Sequence, residues 1–269
     1  KVPDNFGPLL DQFQSVFRGH NIVQIIPNEV EGFLFSRWGQ FQKSTIKKRK
    51  DQLTQFFNFC IRELRRQGSP DFHNPVKLVQ EIQVSPKTRE GFMPVEKIQE
   101  LLDTCKDVKH WLMFSIMATA GLRVGELLKL KPVDVNGRIL TLREPKSGKD
   151  KEYAVIPQIV ADKLKEYSKY IHPDKPIFPG KRGWVNNLLA DRIHKLRLER
   201  LSSHDLRRWC ATFWEREKDI DMMRFVLRHS GINDSNGNVV LDSLAARYVI
   251  HLTAKEAMER QDMVMVKFV

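Results

Sequence analysis

The sequence predicts a mainly α protein with one small antiparallel β-sheet, divided into two domains. Three observations predict it. Apolar residues recur at helical spacing from Ile46 to Leu64. The stretch from Val108 to Thr119 is apolar nearly all round, as in a helix buried on every side. Between residues 132 and 156 the period changes from helical to alternating, around an Asn136-Gly137 turn.

In chain order, residues 1–40 mix short apolar groups with Gly and Pro, and Pro27-Asn28-Glu29-Val30-Glu31 marks a helix start. Ser44 or Thr45 is expected to cap a long helix running to about Gln67. Its apolar stripe is Ile46, Leu53, Phe56, Phe57, Cys60, Ile61 and Leu64. The opposite face carries Lys47, Lys48, Arg49, Lys50, Arg62, Arg65 and Arg66, with Lys43 just ahead of it. That face suits either solvent or a nucleic-acid backbone. Gly68-Ser69-Pro70 stops the helix, and a short helical stretch is expected from Pro75 to Ile82. A basic run without periodicity follows, so the domains are drawn as 1–85, a linker at 86–91, and 92–269.

Pro94 opens a helix to about Cys105, and the buried helix 108–119 ends at Gly121. Arg123 then begins the next helix, where the dipole disfavours a cation. Its position points to an anionic partner, and Glu126 is within reach three residues on. Arg138 to Leu142 and Tyr153 to Ile156 complete a three-stranded sheet, with Lys146 and Lys149 near the tip of its second hairpin. Turn lysines are ordinarily just solvated. Helices resume at 157–170 and 184–198, the latter bringing a second basic run, Arg192, Lys195, Arg197 and Arg200. Residues 253–269 read as a helix and apolar tail, either core or a docking element for another chain.

Composition narrows the function classes. Forty-five Lys and Arg against 33 Asp and Glu give a net charge of +12, which favours a polyanionic partner. No apolar run is long enough to span a bilayer, so no membrane partner is expected, and no secretory signal is recognised. Three scattered cysteines suggest neither a disulfide framework nor zinc, and no His/Asp/Glu cluster has metal-ligand spacing.

The chemistry concentrates late in the chain. His204 and Arg207 lie three apart and share a helix face, a pairing that can hold an anionic oxygen. His229 follows in Leu227-Arg228-His229-Ser230, and Tyr248 in Arg247-Tyr248-Val249-Ile250-His251. A tyrosine hydroxyl is a poor nucleophile near neutral pH, but among cations that bind a phosphodiester it could attack phosphorus. Taken singly, each histidine reads as structural and the tyrosine as a core residue. Only Tyr248 follows both histidines.

Together these residues resemble the tyrosine recombinases, the phage-type integrase family. The carriers are Ala120-Gly121-Leu122-Arg123-Val124-Gly125-Glu126-Leu127, Lys146 in Pro145-Lys146-Ser147-Gly148-Lys149, His204-Asp205-Leu206-Arg207, Leu227-Arg228-His229-Ser230 and Tyr248, in that order. The resemblance implies a helical core-binding domain that closes over DNA and a mixed α/β catalytic domain. It implies that Arg123, Arg207, His204 and His229 bind the scissile phosphate, that Tyr248 forms a 3′-phosphotyrosine, and that Lys146 protonates the leaving 5′ oxygen. Glu126 would support Arg123. Lys43, Lys47, Lys48, Arg49, Lys50, Lys149, Arg192, Lys195 and Arg197 would contact DNA. No cofactor or metal is expected. The implied partners are double-stranded attachment sites and a homo-tetramer formed on DNA from free monomers, in the cytoplasm with the nucleoid. A Holliday-junction route that integrates or excises a mobile element follows. The words around Tyr248 are most similar to integrases of archaeal viruses and plasmids. The polar insert Gly231 to Asn238 lengthens the usual interval before the nucleophile, leaving open whether Tyr248 serves its own subunit or a neighbour. The alternatives are a type IB topoisomerase-like relaxing enzyme and a non-catalytic DNA-binding protein on the same fold.

Overall fold

The computed structural model describes residues 7–36, 40–68, 72–85, 93–143, 151–198, 201–228 and 253–265. The chain divides into two compact units, residues 1–88 and 89–269.

The first unit contains α1 (Gly7–Val16), α2 (Pro27–Phe35) and α3 (Lys43–Arg66), then a 3-10 turn at Pro75–Leu78. Its core is built on phenylalanines: Phe13 meets Phe17, Phe33 and Phe57 at ring-centroid distances of 4.5, 5.2 and 5.8 Å. Of the helical stripe expected of α3, Ile46, Leu53 and Phe57 are fully buried, while Phe56, Cys60, Ile61 and Leu64 are half-buried.

Three expectations need correction here. α1 forms where no helix was expected, because Gly7 and Pro8 at its start mask the spacing of Leu9 and Phe13, both buried. α3 begins at Lys43 with Gln42 as its N-cap, so neither Ser44 nor Thr45 caps it. Burial of Ile46 fixes that turn: the Thr45 N–H already donates to the Gln42 carbonyl at 2.8 Å. The stretch Pro75 to Ile82 is a 3-10 turn that ends at Leu78. The carbonyls of Val79 and Gln80 accept from Lys50 Nζ at 2.8 and 3.2 Å instead of continuing a helix. The linker expected at 86–91 lies outside the described residues.

The second unit is organised around α5 (Val108–Ala120), buried without interruption from Leu112 to Ala120. α4 (Val95–Asp103), α7 (Gln158–Ser168), α9 (Ser203–Arg216) and the sheet pack on it. Asp107 caps α5 by accepting from the Lys109 N–H at 2.8 Å. α6 (Val124–Leu127) is one turn. The sheet runs β1 (Val135–Asn136), β2 (Ile139–Arg143), β3 (Lys151–Val155), all antiparallel, with Asn136 opposite Ile139 and Thr141 opposite Tyr153. Alternation turns Leu140 and Leu142 inward on β2, and on β3 it turns Ala154 and the acidic Glu152 inward. α8 (Arg182–Lys195) and α10 (Ile220–Leu227) complete the unit with α11 (Ala254–Met265).

α11 is seated on its own unit. Arg138 donates to Asp262 at 2.6 Å, to Gln261 Oε1 at 3.1 Å and to the Met258 carbonyl at 3.3 Å, and Ala257 and Gln261 are buried. Of the two readings of the C-terminal segment, its helix is therefore core, while residues 266–269 lie outside the described residues. No helix among the described residues is long and apolar enough to cross a membrane.

Candidate active site

The site is built on the turn that ends α5. Gly121 adopts φ 59°, a left-handed conformation that favours glycine. A side chain there would also crowd the Val226 carbonyl, 3.1 Å from the position of a Cβ. The turn delivers Arg123 to the N-cap of α6, with its side chain partly exposed. Glu126 grips it twice. Glu126 Oε2 accepts from the Arg123 backbone N–H at 2.8 Å, and Oε1 accepts from Nη1 at 2.7 Å. The carboxylate in the first turn of α6 offsets the unfavourable placement of a cation there. One bond occupies one of five guanidinium N–H groups, so the Arg123 fork retains donors for an anion.

Arg207 reaches the same turn from the middle of α9 and is almost completely buried. It donates to the Gly121 carbonyl and to the Leu227 carbonyl, and at 3.4 Å to that of Val226. The last two are carbonyls of the C-terminal turn of α10, which lacks helical partners of its own. Burial, with Arg228 and Arg123 nearby, pushes the Arg207 pKa down to about 10, so it stays cationic at neutral pH.

A third guanidinium enters the cluster, and the sequence reading did not single it out. Arg228 closes α10 in a left-handed conformation, φ 50°. Its Nη2 donates to Glu126 Oε2 at 2.6 Å, and its Nε lies 3.4 Å from Glu152 Oε2. Burial raises the Glu126 pKa, but the Arg228 charge and the bonds from Arg123 outweigh it and hold the carboxyl below its ordinary value. The signal available in the sequence was Glu152 itself, an acid in phase with Ala154 on the buried face of a strand, which needs a cation.

His204 is exposed in the first turn of α9. That start is fixed by Asp205 Oδ2, which accepts from Ser202 N–H and Oγ at 2.8 and 2.7 Å, and by Asn186, which accepts from the Ser203 N–H at 3.1 Å. Although His204 and Arg207 are three apart, one faces solvent and the other is buried; no hydrogen bond among the described residues joins them. Lys146, His229 and Tyr248 lie outside the described residues, as does Lys149.

Beside Arg123 opens a cavity of about 530 Å³, lined in part by Arg123, Lys129, Lys131, Arg143 and Arg182. Arg143 pairs with Asp134. The Arg182 guanidinium lies over Gly125, where a Cβ would stand 3.7 Å from its Nη2.

The expected DNA contacts divide. Lys43, Lys47 and Lys48 are exposed on the first turns of α3. Arg49 is half-buried over the Phe41 ring, 4.0 Å from its centroid. Lys50 is engaged on the Val79 and Gln80 carbonyls, so it is a structural clasp rather than part of a solvated face. Lys195 at the end of α8 and Arg197 just beyond it are exposed, but Arg192 Nε on α8 is buried without a hydrogen-bond partner. Arg192 falls at helical spacing from the buried Val185 and Leu189, which turns it inward.

Residues 92–236 match the model of the phage integrase family. A putative integrase/recombinase y4eF of Sinorhizobium fredii is 30% identical over 88 residues, which cover 32% of this chain and 35% of that protein. The match thus spans about a third of that relative's length. The tyrosine recombinase XerA of Pyrococcus furiosus is 27% identical over 192 residues, 66% of this chain and 64% of that one. In fold, the chain is similar to the Tn1549 transposon integrase solved in complex with transposon right end DNA, with a TM-score of 0.66 at 14% identity, over 99% of this chain and 95% of that one.

Proposed function

Because the chain belongs to the phage integrase family, we propose that it is a site-specific DNA recombinase that cleaves and rejoins strands through a phosphotyrosine. The observation that carries this reading is the convergence of Arg123 and Arg207 on the Gly121 turn, each fixed by other groups. A pentacoordinate phosphorus carries charge on its non-bridging oxygens, and preorganised cationic donors stabilise it, each by on the order of 10²–10³ in rate. Arg123, whose fork is partly exposed, takes those oxygens with His204 and His229 adding hydrogen bonds, and Arg207 joins once its guanidinium turns from the Gly121 and Leu227 carbonyls toward the phosphate.

Tyr248 Oη attacks phosphorus and gives up its proton to solvent. The bond from phosphorus to the 5′ oxygen breaks as the bond to Oη forms, and Lys146 protonates the departing oxygen, worth about 10²–10⁴. A 5′ hydroxyl of a partner strand then reverses the step. One phosphoester replaces another at each stage, so the chemistry requires no nucleotide and no redox partner. Two rounds through a Holliday junction exchange two duplexes. Tyr248 lies beyond the family match, and its assignment rests on its order after both histidines.

The substrates are then double-stranded attachment sites, brought together by a homo-tetramer assembled on DNA. The first unit serves as the core-binding domain, with Lys43, Lys47 and Lys48 facing the backbone, and the basic cavity beside Arg123 follows the strand next to the scissile phosphate. The Arg247-Tyr248-Val249-Ile250-His251 wording supports an archaeal virus or plasmid as the element moved.

A covalent selection tests the reading. Wild type and Tyr248→Phe are incubated in EDTA with a pool of nicked duplexes of randomised core sequence, and DNA linked to protein is recovered under denaturing conditions. An adduct from wild type and none from Tyr248→Phe is expected, and the recovered sequences give the site. DNA binding without any adduct would leave a non-catalytic protein on this fold. An adduct that only relaxes supercoils, without exchanging ends, would make it a topoisomerase.

A further inference from the structure

Arg228 is a buried cation for which the recombination chemistry has no stated use. Three features mark it. Its backbone holds a left-handed conformation that residues other than glycine seldom adopt. Its side chain, 4% exposed, spans two carboxylates, Glu126 on α6 and Glu152 on β3. The same guanidinium donates to the carbonyls of Ala120, Gly121 and Val226, at 3.3, 3.2 and 3.2 Å. It therefore touches both the turn that carries Arg123 and the helix end that holds Arg207.

We propose that Arg228 is a positioning residue of the strand-cleaving site, acting through Glu126 on Arg123 and through the closed end of α10 on Arg207. This rests on the recombinase reading above. The electrostatic logic follows from the order of charges. Glu152, Arg228, Glu126 and Arg123 form an alternating row that ends on a cation at the partly exposed end. Both oxygens of Glu126 are occupied, Oε1 by Arg123 and Oε2 by the Arg123 N–H and Arg228. Sharing Glu126 with Arg228 leaves more of the Arg123 charge uncompensated for a phosphate. With Arg228 present, three guanidiniums face two carboxylates, and the cluster is net positive. Without it, Glu126 would bond to Arg123 alone, whether or not Glu152 keeps its charge.

The second role is steric. The left-handed turn at Arg228 ends α10 with the Val226 and Leu227 carbonyls aimed at Arg207. Arginine suits this place because one planar fork can serve two carboxylates and several carbonyls at once, which a lysine ammonium cannot.

The experiment uses the full chain and a nicked duplex recovered by the covalent selection. Wild type, Arg228→Lys, Arg228→Gly, Arg228→Gly/Glu152→Gln, Glu126→Gln and Glu126→Gln/Arg228→Gly are compared for noncovalent DNA affinity and for single-turnover adduct formation at saturating DNA. Glycine relieves the left-handed backbone, and Glu152→Gln removes the carboxylate that would be stranded, so the double variant is expected to fold. Expected are DNA affinities within threefold of wild type and adduct rates lower by roughly 10–100-fold in the double variant, with Arg228→Lys between. The losses from Glu126→Gln and Arg228→Gly should be markedly less than additive when combined, because both act on Arg123. Rates within threefold of wild type, fully additive losses, or a loss confined to DNA affinity would overturn the proposal while leaving the recombinase reading intact. A covalent selection that recovers no adduct from a wild type that binds DNA would overturn both.

Discussion

Replacing Gly121 by alanine should cost both stability and activity. The residue sits at φ 59°, where a Cβ costs an L-residue about 1–2 kcal/mol. The loss of glycine's freedom in the unfolded chain returns roughly 0.4–1 kcal/mol. The new methyl would stand 3.1 Å from the Val226 carbonyl oxygen, closer than ordinary contact, and 3.4 Å from Val226 Cβ, at its lower limit. That carbonyl cannot yield freely, because Arg207 and Arg228 both donate to it. Overpacking of this kind costs about 1–3 kcal/mol. The net expectation is a destabilisation of about 3 kcal/mol, and for a unit of this size a fall in Tm of roughly 6–12 °C. Differential scanning calorimetry at neutral pH measures it. The same shift moves the end of α10 away from Arg207, so adduct formation at saturating DNA should fall by at least about tenfold at a temperature where the variant is fully folded. A Tm within 2 °C of wild type, with an unchanged rate, would refute the close packing of turn and helix end on which the whole site description depends.

Three further outcomes are expected. Glu126 has a folded-state pKa below its ordinary value, so its contribution to stability is complete above about pH 4.5 and lost as the pH falls through the lower folded value; wild-type Tm should therefore drop more steeply below pH 4.5 than that of Glu126→Gln, in a pH series of thermal melts. Arg182→Ala and Lys131→Ala, which remove cations from the cavity beside Arg123, should each reduce the slope of log affinity for duplex DNA against log salt by about 0.9 if each meets one phosphate, and an unchanged slope for both would place the DNA backbone elsewhere. Arg138→Ala removes the donor to Ile156, Asp262, Gln261 and Met258, and should lower stability by about 2 kcal/mol in urea titrations while making the chain after Thr253 the first site of limited proteolysis.

What could be read from the sequence was local. The all-apolar run 108–119 could only be a buried helix, and Gly121 stops it as expected. The Asn136-Gly137 turn set the sheet, and the three-residue spacing of Arg123 and Glu126 became a pair at 2.7 Å. The sequence did not reveal contacts made across the fold. Arg228 and Glu126 are 102 positions apart, and Arg207 and Gly121 are 86 apart. Periodicity reports on neighbours three and four residues away and is blind to such pairs. Composition misled in a related way: Lys50 and Arg192 counted toward basic faces, yet one serves two carbonyls and the other turns its Nε into the core. The helical phase of Arg192 with Val185 and Leu189 held that information; the demand of the Val79 and Gln80 carbonyls for a donor did not show.

The seat of α11 has a consequence for any shortened form of the chain. The buried amide of Gln261 donates to the carbonyls of Thr119 and Val155, at 3.4 and 3.3 Å. Thr119 lies two residues before Gly121. Truncation ahead of Thr253 would strip a donor from two buried acceptors, one of them directly behind the arginine turn, and would remove the apolar cover of Ala257 and Met258 as well. The last helix thus belongs to the foundation of the Gly121 turn, and, on the proposed function, an amputated protein would lose strand cleavage by slackening that turn even with every proposed catalytic side chain still in its sequence.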